Sequence, residues 1–259
     1  MLLASDLFTR DSLGQFVFRW LHIVAGITWI GLLYFFNVVQ VPAYAEFEQP
    51  PNQETGGRAR LIAIDKVTRK ALWWFRWAAV GTFLTGILIV GLTKEYFSRA
   101  PGWSNAAILT GMLLGTIMLL NVWGVIWRNQ KVVLANAANV LAGGQPDPNT
   151  AAAGRRALMA SRQNTIFSVS MVWFMVLRGH GSVAYHSIGI GTGPGAAYWI
   201  IVLLIVAVLE VNALGLLPWK TAANKGLNVI YDGPGVRNPL IAAFGLWVIF
   251  VILGEIVFS

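Results

Sequence analysis

The sequence predicts an all-α integral membrane protein, a bundle of about six transmembrane helices forming a single polytopic domain over residues 1–259. Its composition is 56% hydrophobic and only 12% charged, whereas a soluble domain carries about 45–50% apolar and about 25% charged residues. The mean hydropathy of +0.63 agrees. Because the apolar residues are spread along the whole chain, a lone anchor helix on a soluble head is excluded. The low charge excludes an ordinary water-soluble enzyme, and the apolar content excludes a disordered chain.

A transmembrane helix needs about 20 mostly apolar residues. Stretches of that kind run over residues 16–41, 71–92, 105–127, 197–217 and 240–258. A shorter one at 165–177 reads as a span prolonged on its N-terminal side. Two connections read as helix rather than loop. Leu61, Ile62, Ile64, Val67 and Ala71 recur at helical spacing and lead into the second span. Asn129 to Leu141 prolongs the third until Gly143-Gly144 and Pro146-Asp147-Pro148 stop it. Ala43-Tyr44-Ala45 imitates a signal-peptidase site, but the preceding apolar stretch is too long for a signal peptide, and Asp6 and Asp11 stand before it.

The net charge of +8 has a topological pattern. Arg58, Arg60, Lys66, Arg69 and Lys70 lie between spans one and two, and Arg128, Lys131, Arg155, Arg156 and Arg162 between three and four. Lys220, Lys225 and Arg237 follow span five. The opposite side holds only Arg10, Arg19, Lys94, Arg99 and Arg178. The positive-inside rule then places both termini outside, in the periplasm if the membrane is a bacterial inner membrane. Trp73, Trp74 and Trp77 form an aromatic belt at the basic boundary, where Arg76 is expected to reach the headgroups.

Cysteine is absent. Disulfides, Cys-ligated zinc, iron–sulfur clusters and c-type haem attachment are therefore excluded, and any metal or haem must be held by His, Met, Tyr or carboxylate. The chain has three histidines: His22, His180 and His186. All fall toward the poorly charged face, with His22 about 9 Å into span one at 1.5 Å per residue. Neutral imidazole is the best remaining ligand for haem iron or copper, which makes His22 and His180 candidate metal ligands, of a haem b in the first place. Gly26, one turn after His22, would let a flat macrocycle approach, and Arg19 and Arg178 would pair with its propionates. Plain helix packing by Gly26, lipid-phosphate contacts by the arginines and a solvated His186 are the alternatives.

A second polar level lies toward the basic face. Glu210 is a carboxylate inside a span and a candidate proton-transfer group, or else part of a polar contact between helices. Asn37, Asn121, Asn164 and Asn212 read as interhelical hydrogen-bonding residues, and Glu255 as merely solvated. The run Gly189-x-Gly191-x-Gly193-x-Gly195 has neither the preceding strand nor the lysine of a phosphate-binding loop, and reads as a connector. Phe18-Arg19-Trp20 with Gly26 and Gly31 is echoed by Phe75-Arg76-Trp77 with Gly81 and Gly86, at a spacing that differs by two residues. Coincidence explains the echo better than an inverted repeat.

Two motifs carry a family resemblance. Span one reads Arg19-Trp20-Leu21-His22 with Gly26, Trp29, Ile30 and Gly31. Span four is introduced by Ser161-Arg162-x-Asn164-Thr165 and continues through Ser168, Met171, Phe174 and Met175 to His180. From span one through span five the chain resembles the membrane domain of the bacterial urate hydroxylase family, the urate oxidase N-terminal family. The resemblance implies a redox role linked to urate oxidation and a cytochrome c domain after the membrane domain. This chain stops after span six without a cysteine and has fewer spans than the family usually carries. Electrons are therefore expected to leave through a separate cytochrome c or a cytochrome-bearing subunit. The competing expectations are a non-catalytic subunit that anchors or stabilises a larger respiratory or photosynthetic complex, and a transporter.

Overall fold

The computed structural model describes residues 12, 16–47, 49–51, 53–93, 103–180, 195–216, 226–232 and 235–258. All regular structure among them is helical. Helix α1 runs Phe18–Tyr34, widens through a π segment at Phe35–Gln40 and ends at Val41–Glu46. Helix α2 comprises Gln53–Ala63, a π segment at Ile64–Thr68 and Arg69–Thr93. Helix α3 comprises Trp103–Asn121, a π segment at Val122–Ile126 and Trp127–Leu141. Then follow α4 (Thr150–His180), α5 (Gly195–Leu214), a 3₁₀ turn (Gly226–Ile230) and α6 (Arg237–Phe258).

Five of these helices are long and apolar enough to cross a membrane: Phe18–Glu46, Thr55–Leu92, Asn105–Leu141, Gly195–Leu214 and Arg237–Phe258. They match the expected spans except at the short fourth one, and the helical extensions expected before span two and after span three are present. Many of their apolar residues point outward. Ile27, Leu84, Ile200, Leu204, Ile241 and Ile256 are each more than half exposed, as lipid-facing side chains must be. The C-terminal stop of α3 also falls where expected, with Gly143 at φ +90° just past the last turn, a conformation open to glycine at little cost. Asp147 then accepts the backbone N–H of Asn149 at 2.8 Å and leads into α4.

Helix α4 is of a different kind. Residues 159–171 are buried with the single exception of Val169, although Ser161, Arg162, Gln163, Asn164, Thr165, Ser168 and Ser170 are polar. A helix this polar cannot face hydrocarbon. It becomes the central post instead, touching α1, α3, α5 and α6. That is why it is too polar to read as a lipid-facing span while being the best-buried helix among the described residues.

Helices α1 and α2 pack as a pair through small side chains. A Cβ on Gly81 would lie 3.6 Å from that of Ala25, and one on Gly26 would lie 3.8 Å from Thr82 Cγ2. Close approach of backbones at small residues is the usual basis of helix association in lipid. Arg76 makes a contact the sequence did not announce. Its guanidinium lies 3.6 Å above the Trp127 ring centroid on α3, because a planar cation with aromatic faces nearby gains more by stacking than by extending.

Candidate functional site

The polar residues of α4 face partners on every side. Tyr34 of α1 donates to Ser168 Oγ at 2.9 Å, since the Ser168 hydroxyl itself donates to Thr165 O at 2.8 Å. One turn nearer the basic end, Asn37 Nδ2 bonds Ser161 Oγ at 2.8 Å and Leu33 O at 2.9 Å. Asn37 sits in the π segment of α1 and Asn121 directly before that of α3. Both wide turns therefore stand beside the Ser161–Asn164 stretch. Such π turns often mark functional positions.

On the α3 side, Asn121 Nδ2 uses its two hydrogens on two helices, giving one to Asn164 Oδ1 at 3.0 Å and one to Glu210 Oε2 at 3.1 Å. Asn164 Nδ2 in turn donates to Met118 O at 2.9 Å. The Asn121–Asn164–Glu210 cluster ties α3, α4 and α5 at one depth. Here the structure places Glu210 in an interhelical hydrogen bond, and Asn37, Asn121 and Asn164 all bond across helices.

Two members of this level, Gln163 and Tyr231, carry no signal in the sequence. Tyr231 follows the 3₁₀ turn and is fully buried. Its hydroxyl donates to Gln163 Oε1 at 2.5 Å, and it also lies 3.0 Å from Leu209 O. Burial pushes the Tyr231 phenol well above its usual ionisation range, so it remains a hydrogen-bond donor at any physiological pH. Gln163 Nε2 is buried without a hydrogen-bond partner among the described residues. No motif pointed to Tyr231, because its role depends on a loop folding back onto α4. That loop is held by Arg162, which donates to Tyr231 O at 2.5 Å and Gly235 O at 2.8 Å.

Toward the other end, His22 faces α2. Its Nδ1 lies 2.7 Å from Thr82 O and 3.2 Å from Thr85 Oγ1, and a Cβ on Gly86 would meet the ring at 3.2 Å. A carbonyl oxygen can only accept. Nδ1 therefore carries the proton, and in the neutral ring Nε2 keeps its lone pair. Gly26 lies on the same α1–α2 contact, opposite Thr82, and Arg19 is exposed at the start of α1. The side chains of Arg178 and His180, and all of His186 and the glycine run up to Pro194, lie outside the described residues. Among the described residues there is no group of three or more His, Cys, Asp or Glu side chains that would hold a metal ion.

The same end is closed by aromatic rings. Trp103 stacks on Phe258 at 5.8 Å and meets Tyr198 edge-on at 5.6 Å. Its Nε1–H donates to Glu255 Oε1 at 2.9 Å. Glu255, expected only to be solvated, is thus drawn into the packing by an indole that needs an acceptor.

No curated protein and no solved structure matches the chain. Residues 89–213 match a family model described as Urate oxidase N-terminal. The matched stretch begins at the end of α2 and covers α3, α4 and all but the last residue of α5. It includes Ser161–Thr165, Asn121 and Glu210, and leaves out the Arg19–Gly31 motif of α1, where the resemblance was expected to begin. Over the α3–α5 segment, with its polar central helix, this chain resembles the urate oxidase N-terminal family.

Proposed function

We propose that the protein is a membrane redox component similar to the urate hydroxylase membrane domain, holding a haem b through His22 and passing electrons to a separate periplasmic cytochrome c. The observation that carries the reading is the fixed tautomer of His22. A histidine that ligates iron usually gives its other ring N–H to a backbone carbonyl, which orients the ring and raises its basicity. His22 makes such a bond to Thr82 O. Its donor chemistry fits haem, and Arg19 on the preceding turn of the same helix would meet a propionate. Gly26 contributes by letting α2 come close enough for Thr82 to reach the ring.

When bound, haem would supply one-electron chemistry. The chain's own residues would hold it and manage protons. Glu210, at the opposite polar level, would take up or release a proton at its carboxyl group as charge moves through the protein, with Asn121 Nδ2 orienting Oε2. The charge pattern supports a topology with both termini on the periplasmic side of a bacterial inner membrane, which puts His22 on the face where a cytochrome c would dock.

The test is a dithionite-reduced minus oxidised visible spectrum of the purified protein, beside His22→Ala. The expected result is a b-type band near stoichiometric that His22→Ala loses while remaining folded. No pigment in a folded wild-type protein would overturn the redox reading in favour of the anchoring subunit.

A further inference from the structure

At the basic end, α4, α5 and the 3₁₀ turn enclose a cleft of about 290 Å³ that none of the chemistry above uses. Its walls are of two kinds: Arg155, Arg156 and Asn228 are polar, while Met159, Ala213 and Leu214 are apolar. The arginines are not equivalent. Arg155 holds Asp232 in a two-pronged pair at 2.7 and 3.0 Å, so its head is fixed. Arg162 stands 3.8 Å from the same carboxylate but spends its donors on backbone carbonyls. Two guanidinium groups thus share one carboxylate. Arg156 is exposed and makes no ion pair among the described residues.

The apolar wall does not end in the cleft. Leu214, a lining residue, is itself 38% exposed, and Leu216, two residues on, is 69% exposed. A ligand filling both parts has an anionic head with hydrogen-bond acceptors and an apolar tail. We infer that this cleft binds the phosphate of an anionic membrane phospholipid, with Arg156 as the principal charge and the acyl chain along Leu214. Arginine suits the role because its planar fork presents paired donors to phosphate oxygens. The basic end is also the one the charge pattern turns toward the cytoplasmic leaflet, whose anionic lipids attract such side chains.

The experiment titrates full-length protein in mild detergent with phosphatidylglycerol, phosphatidylcholine or inorganic phosphate, reading bound lipid by native mass spectrometry and stability by thermal shift. Phosphatidylglycerol is expected to bind and stabilise where phosphatidylcholine does not. Arg156→Gln should weaken that binding about fivefold, the worth of one basic residue near an anionic surface, while keeping its helical spectrum. Neutralising another exposed arginine of the same end, Arg128→Gln, should leave it unchanged. Equal binding of the two lipids, or equal loss in both variants, would overturn the inference. A full stabilisation by inorganic phosphate alone would overturn the lipid assignment and leave a site for a soluble anion.

Discussion

The two halves of α4 are held by different physics. From Ser161 to Ser168 the helix is surrounded by hydrogen bonds to Asn37, Tyr34, Asn121 and Tyr231. Beyond Met171 it is surrounded by rings, with Phe174 against Trp103 and Phe250. The aromatic half gains from close fit and tolerates no added volume. The polar half gains less per contact, because each group would also find partners in the unfolded state, but leaving one partner unmatched there is costly. Glu210 joins the polar half through Asn121 of α3.

The sharpest way to break the aromatic half is Gly254→Val. A Cβ there would fall 2.0 Å from Trp103 Cη2, so the indole must leave its place and its bond to Glu255. The expected loss is about 3–5 kcal/mol, as for deleting a buried tryptophan, read from thermal unfolding in detergent. A Trp103→Ala variant should then show little further loss when combined with it, since both remove the same packing.

In the polar half the largest effect is expected from Arg162→Met. It strips the bonds to Tyr231 O and Gly235 O, each worth about 1.5–3 kcal/mol when the donor is charged. Limited proteolysis should find the connection around Tyr231 opened while α4 stays protected. Smaller is Asn121→Ala, which leaves Asn164 Oδ1 and the Glu210 carboxylate without their donor. About 1–3 kcal/mol should be lost, and a double-mutant cycle with Asn164→Ala should give a coupling of about 0.6 kcal/mol. A coupling near zero would mean that the two amides do not act together.

The smallest effect on stability is expected from Glu210→Gln. The amide oxygen can still accept from Asn121, so unfolding should shift by no more than about 0.5 kcal/mol. Proton uptake coupled to reduction, followed with a pH indicator in weakly buffered solution, should nevertheless disappear. Unchanged uptake would assign Glu210 to packing alone.

Much of this was legible in the sequence. Lipid-exposed helices announce themselves by apolar length, and the Gly-Pro punctuation after Leu141 marks the end of α3. Glu210 and the asparagines stood out because polar side chains are conspicuous in hydrocarbon. The shape of α4 was harder to see. Its polar stretch, Ser161 to Ser170, reads as a poor span, and only the tertiary arrangement turns that deficit into burial. Tyr231 and Gln163 were hidden for a related reason, since neither is unusual locally and their contact joins residues far apart in the chain. The stacking of Arg76 was hidden as well, because the aromatic ring it meets comes from another helix.

The proposed haem site rests on the free Nε2 of His22. Its most direct test is chemical rescue: His22→Gly is purified with and without added imidazole, and the reduced visible spectrum is recorded. The b-type band is expected to be lost in His22→Gly and restored by imidazole, which supplies the missing nitrogen. A band that survives His22→Gly unchanged, or a folded wild-type protein without one, would contradict it.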